Sequence, residues 1–242
     1  MINPDKEKIL LTVAARGGSK GVKNKNIRMF CGAPLIAHTI VQAKKWGGAE
    51  RIVCSTDSDE IASIARQYGA DVPFMRPPEF ATDESGKLEV LRHALQTVER
   101  IDGSVYSIII DLDVTAPVRK MSDIEGALQL FLEKRPLTVF SVVPARKNPY
   151  FNMVELDAEK RAVLVKVLGS TVKRRQDAPQ IYDMNASIYV YDRKYLLDES
   201  TRSAISDRSF VYVMDELSAF DIDSELDFQF IEFLVSKGVV RL

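Results

Sequence analysis

The sequence predicts a three-layer α/β fold, in which helices cover both faces of a mostly parallel sheet. Apolar, β-branched runs alternate with segments of helical apolar spacing along most of the chain. The first apolar run, Ile9–Ala14, is followed at once by a turn rich in glycine and cations. The chain has 242 residues, of which 46% are hydrophobic and 28% charged. This size and composition are typical of one globular α/β domain.

Strand and helix patterns follow one another in order. After the first strand, we expect strands at 51–55, 71–75, 107–112, 138–143 and 186–191. We expect helices at 34–46, 61–68, 87–98, 122–133 and 226–235. Gly69 is placed to end the second helix, because glycine adopts the left-handed conformation of a helix C-terminus. Ser122 is expected to cap the fourth helix, with Glu125 completing a capping box.

The alternation is interrupted between residues 144 and 184. Segments 153–156 and 163–167 alternate apolar and polar residues around Asp157-Ala158-Glu159-Lys160, a pattern typical of a β-hairpin. We therefore interpret 144–184 as a β-rich arm inserted into a single domain that spans 1–242. An extended arm with apolar alternation usually needs a partner surface, so we expect a homodimer formed through this arm.

Charge and composition exclude several classes of protein. The net charge of −1 provides no global basic field for nucleic acid. The two cysteines, Cys31 and Cys54, form no C-x-x-C pair, and Cys54 lies in an expected buried strand. No segment has the apolar length of a signal peptide or a membrane span, so we expect a cytoplasmic enzyme without membrane partners. His38 and His93 have no nucleophile nearby in the sequence, which argues against hydrolase chemistry.

The turn after the first strand contains three glycines and four cations. It is neither a Walker A sequence nor a G-x-G-x-x-G motif. Such a turn can bring backbone N–H groups and positive charge against a polyphosphate. The alternative is a basic surface turn that needs glycine only for its dihedral angles. The candidate phosphate-binding residues are Arg16, Gly17, Gly18, Ser19 and Lys20.

Two acidic pairs could contribute to the same site. In an extended segment, Asp221 and Asp223 point the same way and offer carboxylates to Mg²⁺. Alternatively, Asp223 and Glu225 serve the N-terminus of the last helix, and both interpretations can hold at once. Asp111 and Asp113 likewise share one side of a strand end. The pairs and the basic loop together describe a Mg²⁺–triphosphate site, although Asp113 could instead cap the turn at Thr115.

A further cationic run, Lys173-Arg174-Arg175, precedes Gln176 at the end of the arm. A solvated charge cluster is the usual interpretation of such a run. Its position ahead of Tyr182-Asp183-Met184-Asn185 could also offer guanidinium groups to a carboxylate ligand.

The motifs, taken in order, resemble those of the acylneuraminate cytidylyltransferases, the CMP-sialic-acid synthetases. The signature A-R-x-x-S-K-G-x-x-x-K-N is matched at Arg16, Ser19, Lys20, Gly21, Lys25 and Asn26. The other matching segments are 55–59, 76–77, 81–83, 115–119, 175–176, 185–189 and 221–225. More narrowly, segments 21–27, 111–113, 146–152 and 182–187 resemble the branch that makes CMP-N,N'-diacetyllegionaminic acid.

The resemblance implies a Rossmann-like, GT-A-like nucleotidyltransferase fold and a CTP-dependent, Mg²⁺-requiring reaction. In that reaction the anomeric hydroxyl of a nine-carbon 2-keto sugar acid attacks the α-phosphate, and pyrophosphate leaves. By position, the resemblance assigns the nucleotide to Arg16, Ser19, Lys20, Lys25, Asn26, Arg76 and Ser85. It assigns the sugar to Asp113, Arg175, Gln176 and Asn185, the metal to Asp221 and Asp223, and dimerisation to the arm. Arg16, Lys20, Asp221 and Asp223 are the expected catalytic residues.

Two departures bear on the sugar. Asp113 stands where the sialic-acid branch usually has glutamine, and Asp183 replaces an arginine often found there. Asp113 suggests a different acylated sugar or a further carboxylate near the metal, and both departures favour a di-N-acylated relative of N-acetylneuraminate. The alternatives are cytidylyltransferases for N-acetylneuraminate, pseudaminate or 3-deoxy-manno-octulosonate. More distant alternatives are a mannose guanylyltransferase, a phosphatase and a catalytically idle nucleotide-binding module.

Overall fold

The computed structural model describes residues 7–18, 22–169 and 172–242. Its strands are Ile9–Ala14 (β1), Met29–Phe30 (β2), Ala33–Pro34 (β3), Arg51–Ser55 (β4), Ile108–Leu112 (β5), Thr138–Pro144 (β6), Val154–Leu156 (β7), Ala162–Leu164 (β8), Tyr182–Asp192 (β9) and Ser209–Val213 (β10). Its α-helices are Leu35–Trp46 (α1), Asp59–Tyr68 (α2), Lys87–Asp102 (α3), Met121–Lys134 (α4), Arg193–Leu197 (α5) and Glu225–Ser236 (α6). Short 3₁₀ helices lie at Lys25–Ile27, Pro78–Phe80, Arg175–Asp177 and Glu216–Ala219.

The central sheet has six strands in the order β10–β6–β9–β5–β1–β4. Strand β1 is parallel to β4 and β5, and β10 is parallel to β6. Strand β9 is antiparallel to both of its neighbours, β5 and β6, so the other strands all run in one direction. The predicted mostly parallel sheet is therefore confirmed. The segments that follow β1 and β5 leave the sheet at the same edge, where ligands bind in open α/β sheets.

Two apolar cores lie on opposite faces of the sheet. Leu11 and Val13 of β1 face a core that also contains residues of α1, α2, α4 and α6. Leu10 faces a second core, built with α3 and α5. The division follows from the strand period, since successive side chains point to opposite faces. It confirms the expected three layers.

Helix α2 ends at Gly69, whose φ of 97° is left-handed, as predicted. The predicted capping of α4 by Ser122 is wrong. The helix begins at Met121, and the extended Lys120 takes the cap position. The Asp123 carboxylate accepts a 2.7 Å hydrogen bond from the Lys120 amide, so Asp123, not Glu125, closes the first turn.

The predicted strand at 71–75 is also wrong, since only Asp71 pairs with the sheet, through a parallel bridge to Val53. Pro73 has no N–H to donate, so the ladder cannot continue beyond it.

By contrast, β9 is longer than predicted. It begins at Tyr182 and passes an irregularity in its pairing with β6, near Ala186, whose φ is 53°.

The predicted hairpin of the arm is confirmed. Strands β7 and β8 pair antiparallel, with Val154 opposite Leu164 and Leu156 opposite Ala162. The central sheet already includes Pro144, which pairs with Tyr182. The part of the 144–184 insertion that lies outside the central sheet is therefore 145–181.

Both cysteines are free thiols, and Cys54 is buried as expected. Burial raises the pKa of Cys54 to about 12, so this thiol stays protonated at neutral pH. Among the residues that the structure describes, no helix is long and apolar enough to cross a membrane.

Candidate active site

The loop after β1 is held by polar contacts from both sides. The Gly17 amide donates a 2.8 Å hydrogen bond to the Asp57 carboxylate at the end of β4. The buried Asn26 side chain donates to the Arg16 carbonyl at 2.9 Å, which closes the loop on itself. Gly18 has a φ of 71°, a conformation that favours glycine. The predicted Ser19 and Lys20 lie outside the described residues.

Arg16 connects this loop to the segment that precedes α3. Its Nη2 lies 2.6 Å from the Asp83 carboxylate, and both side chains are partly exposed. An exposed ion pair of this kind contributes only about 0–1 kcal/mol to stability. The Arg16 guanidinium can therefore exchange Asp83 for a ligand phosphate at little cost.

Lys25 connects the loop to the acidic segment near the C-terminus. Its ammonium donates to the Ile222 carbonyl and lies 3.4 Å from the Asp223 carboxylate. The Lys25 side chain is only 13% exposed. A cation of the basic loop and the predicted metal-binding segment thus meet at the carboxyl edge of the sheet.

The residue between the two predicted metal ligands fixes their orientation. Ile222 is fully buried in the core, and its amide donates to the Thr115 carbonyl at 2.9 Å. Because side chains alternate in an extended segment, Asp221 and Asp223 point away from that core. The Asp223 side chain is 78% exposed, whereas Asp221 is half-buried.

One Asp221 carboxylate oxygen, Oδ1, is buried and has no hydrogen-bond partner in the described part of the chain. Burial raises the pKa of Asp221 above its usual value, and the neighbouring Asp113 and Asp223 add to this effect. The Thr115 hydroxyl and Lys25 act in the opposite direction. A buried, unpartnered carboxylate oxygen beside a second carboxylate fits a hard cation such as Mg²⁺. These two residues could therefore hold the metal.

The alternative role of this segment, as a helix N-terminus, is also present. Ser224 caps α6, and the Asp227 carboxylate accepts a hydrogen bond from the Ser224 amide at 2.8 Å. Glu225, in the first turn, forms a bidentate pair with Arg28, with one N–O distance of 2.7 Å. Asp223 precedes the cap, and the capping contacts use Ser224 and Asp227 instead of the exposed Asp223 carboxylate.

Asp111 and Asp113, the second acidic pair, bind the Lys87 ammonium between them. The N–O distances are 3.1 Å to Asp111 and 2.7 Å to Asp113. Burial opposes ionisation of Asp113, but Lys87 and the donors of Thr115 outweigh it and lower the pKa of Asp113 to about 2. Asp113 also caps the following turn, because it accepts from the Thr115 amide at 3.1 Å. The turn-capping interpretation is therefore correct for this residue.

Arg119 is a positioning residue whose role sequence reasoning missed. It is 3% exposed, and its guanidinium donates to the carbonyls of Asp113, Ala116 and Ser187. Burial lowers the pKa of Arg119 to about 10, although Asp113 and Asp111 oppose the shift. These bonds fix the backbone between β5 and α4. The signal for this role in the sequence is the motif at 115–119, which ends at Arg119.

Arg76 and Ser85 hold the segment between β4 and α3. The buried Arg76 donates from Nε to the Ser55 hydroxyl at 3.1 Å and from Nη2 to the Ser55 carbonyl. Burial lowers the pKa of Arg76. The Ser85 hydroxyl accepts from the Thr82 amide and donates to the Glu79 carbonyl, each at 3.1 Å. Both residues therefore fix the conformation of this segment, which also carries Asp83.

The predicted sugar-binding residues divide into two groups. Arg175 and Gln176 line an open groove of about 820 Å³ at the base of the arm, together with Arg146. The Arg146 guanidinium lies 5.8 Å from the centre of the Phe220 ring, so this groove approaches Asp221. Asn185 is buried instead.

The Asn185 side chain is fully engaged with protein groups. It donates to the Ser218 carbonyl at 2.9 Å and accepts from the Ser141 hydroxyl at 2.6 Å. Asn185 thus supports the 3₁₀ turn at Glu216–Ala219 that leads to Asp221.

Both histidines are structural, as expected. The His38 ring bonds to the Phe30 carbonyl at 2.7 Å, and His93 packs against Phe74 and Phe80. Within the described ranges, no group of three or more histidine, cysteine or acidic side chains converges on one point. The two acidic pairs therefore do not form one compact set of ligands, although Asp113 is close enough to Asp221 to raise the pKa of that carboxyl.

Comparisons with known proteins extend over nearly the whole chain. The cytidylyltransferase family model matches residues 10–234. The chain is 48% identical over 228 residues to a Campylobacter jejuni CMP-N,N'-diacetyllegionaminic acid synthase, covering 94% of this chain and 95% of that protein. It is 44% identical over 229 residues to the Campylobacter coli post-translational flagellin modification protein B, covering 95% of each.

A structural comparison supports the fold. The solved structure of CMP:2-keto-3-deoxy-manno-octonic acid synthetase, complexed with CTP, matches with a TM-score of 0.71 at 17% identity. The match covers 96% of this chain and 100% of the solved chain. It confirms the predicted nucleotidyltransferase type of α/β fold. With the sequence matches, it leads to one conclusion: the chain belongs to the cytidylyltransferase family and is a nucleotidyltransferase.

Proposed function

We propose that this enzyme transfers the cytidylyl group of CTP to a legionaminic-acid-like, nine-carbon 2-keto sugar acid and releases pyrophosphate. The observation that carries the proposal is the meeting of the basic loop and the acidic segment through Lys25. This contact supports the proposal, because it brings the groups proposed to bind phosphate and metal to one edge of the sheet. A site of that composition suits phosphoryl chemistry, in which positioning and charge stabilisation supply most of the catalysis.

Sequence similarity favours the legionaminate branch among the possible sugars. Identity is 48% to the CMP-N,N'-diacetyllegionaminic acid synthase of Campylobacter jejuni. It is 33% to an Escherichia coli N-acylneuraminate cytidylyltransferase and 28% to a pseudaminic acid cytidylyltransferase. Asp113, held ionised by Lys87, can only accept hydrogen bonds. It therefore suits an N–H or O–H donor on the sugar.

The cations of the loop would bind and orient the triphosphate. Arg16 offers two parallel N–H groups, and Lys20 and Lys25 add point charges. Arg76 and Ser85 hold the segment between β4 and α3, beside this loop. We propose that the cytosine lies against that segment. Asp221 and Asp223 would hold Mg²⁺, which when bound stabilises negative charge on the phosphate oxygens. The guanidinium groups of Arg146 and Arg175 in the groove would receive the sugar carboxylate.

We also propose that the enzyme is a cytoplasmic homodimer. CTP is a cytoplasmic substrate, and the arm offers a surface for a second copy. By alternation and register, Val154, Leu156, Ala162 and Leu164 share one face of the β7–β8 hairpin. Val154 is 57% exposed and Leu156 67%. Such an apolar face on an extended arm is typical of a surface that is covered in an assembly.

The dimer is tested by placing a charge on this apolar face. Leu156→Asp should shift the chain from dimer to monomer in sedimentation velocity, because an uncompensated carboxylate would be buried in the interface. Glu155→Gln, on the opposite face of the same strand, is the matched control and should remain dimeric. A wild-type chain that sediments as a monomer at all concentrations would refute the proposal.

The proposed reaction is tested by measuring pyrophosphate release with CTP and Mg²⁺ across four sugar acids. Legionaminate should give the highest kcat/KM, ahead of N-acetylneuraminate, pseudaminate and 3-deoxy-manno-octulosonate. Preference for another of these acids would retain the class of enzyme and change the sugar. Release from none of them, with CTP still bound, would contradict the proposal.

Asp221→Asn should lower turnover by on the order of 100-fold or more, because a metal ligand is lost while the shape is kept. Its thermal midpoint in metal-free buffer at pH 7 should be at least that of the wild type, since the carboxylate charge that burial disfavours is gone. The pKa of Asp221 is raised in the folded state, so this benefit should shrink as the pH falls and Asp221 takes up its proton. Asp207→Asn, at an exposed turn, is the control. Retained turnover would remove Asp221 from the metal site.

Two arginines predicted to bind the nucleotide should respond differently to substitution. Arg16→Gln should raise the KM for CTP and leave stability nearly unchanged, because its only ion pair among described residues is exposed. Arg76→Gln should cost about 1.5–3 kcal/mol in urea unfolding, since it breaks buried, charged hydrogen bonds to Ser55. A normal KM in the Arg16 variant would reject its role on the phosphates.

A further inference from the structure

The acidic pair at the end of β5 already contains a cation. The Lys87 ammonium lies 3.1 Å from one oxygen of Asp111 and 2.7 Å from one oxygen of Asp113. The Asp111 side chain is 1% exposed and that of Asp113 is 21% exposed. Two carboxylates this close and this buried need a positive charge between them, since neither is stable as an isolated buried ion.

The remaining oxygens of this pair are also engaged. The other oxygen of Asp111 accepts from the Thr12 hydroxyl at 2.8 Å. The other oxygen of Asp113 accepts from the Thr115 amide and hydroxyl, at 3.1 and 3.0 Å. Every carboxylate oxygen of the pair therefore has a donor. In contrast, the buried oxygen of Asp221 has no partner among the described residues.

We propose that Lys87 takes the place of a metal ion between Asp111 and Asp113, so that each chain binds one divalent metal, at Asp221 and Asp223. The inference rests on the proposed function, which calls for a metal at this edge of the sheet. Lys87 is thus a positioning residue: its charge keeps the first acidic pair from binding metal and holds Asp113 in place.

The location of Lys87 suits this role. It is the first residue of α3, so the helix fixes its backbone, and Gly86 and Glu89 cap that helix. Its ammonium also lies 4.8 Å from the centre of the Tyr189 ring, on the neighbouring strand β9. A tethered ammonium does not dissociate from the pair as an ion from solution would. A metal could enter only by displacing it.

The Thr115 segment separates the two acidic pairs. Its hydroxyl and amide bind Asp113, and its carbonyl accepts from the Ile222 amide between Asp221 and Asp223. Each pair therefore keeps its own position in the site. Lys25 also lies 3.4 Å from Asp223, but the buried Oδ1 of Asp221 still has no partner among the described residues. The second pair is therefore the one open to a metal from solution.

The inference is tested by counting bound Mn²⁺ in the absence of nucleotide and sugar. Mn²⁺ prefers the same oxygen ligands as Mg²⁺, and its free form is measured by electron paramagnetic resonance. The wild-type chain should bind one Mn²⁺. Asp221→Asn should abolish this binding, and Asp113→Asn should leave it unchanged. Two sites in the wild type, or loss of the site in the Asp113→Asn variant, would overturn the inference.

A gain of metal binding provides the converse test. Lys87→Met should bind a second Mn²⁺, and adding Asp113→Asn to that variant should remove the second site. Lys87→Arg should keep the count at one, because the positive charge is retained. A folded Lys87→Met protein that binds one Mn²⁺ would contradict the inference. If that variant does not fold, the Asp113→Asn and Asp221→Asn counts decide alone.

These counts require neither CTP nor a sugar acid, so they are independent of cytidylyl transfer. A chain that shows the expected pattern of Mn²⁺ binding but fails on all four sugar acids would refute the proposed reaction alone. A chain that is active but binds two metal ions per wild-type chain would refute the role of Lys87 alone.

Discussion

Compensation of buried charge at the carboxyl edge of the sheet is the constraint on which the site depends. Asp111, Arg119 and Arg76 are each less than a tenth exposed, and each is hydrogen-bonded, although the Arg119 Nε has no partner among the described residues. Asp111 pairs with Lys87, whereas the two arginines donate to backbone carbonyls and to the Ser55 hydroxyl. Hydrogen bonds of charged groups typically contribute about 1.5–3 kcal/mol each, so these contacts restrict the backbone around them. The compensated charges form a rigid frame. Asp221, whose buried Oδ1 lacks a partner in the described part of the chain, lies near these charges.

The same constraint explains how distant parts of the chain come together. Lys25 and Ile222 are 197 residues apart in sequence, yet the ammonium of the first bonds to the carbonyl of the second. Thr115 joins Asp113 to Ile222, because its amide donates to the Asp113 carboxylate and its carbonyl accepts from the Ile222 amide. Short polar contacts therefore tie the loop after β1, the turn after β5 and the segment before α6 into one site. The apolar cores hold the strands, but these contacts set the distances between functional groups.

The arm differs from the central sheet in how far its side chains are buried. Outside the central sheet, its hairpin exposes apolar side chains and lacks the two-sided burial of the core strands. The groove at its base carries Arg146 and Arg175, the guanidinium groups proposed to receive the sugar carboxylate.

Apart from β10, α5 and the antiparallel direction of β9, the sequence by itself determined the α/β class, most of the strands and helices and the hairpin of the arm. These follow from local periodicity and glycine placement, which act over a few residues and can be read along the chain. Pro73 explains why the strand expected at 71–75 does not form, since it has no N–H to donate. The tertiary structure alone decided which charges are paired. Lys87 binds Asp111 and Asp113, and Arg119 donates to the Ser187 carbonyl. Asn185, expected to bind the sugar, bonds to Ser141 and Ser218. Their roles depend on burial and on partners far away in sequence, and no local pattern encodes either property.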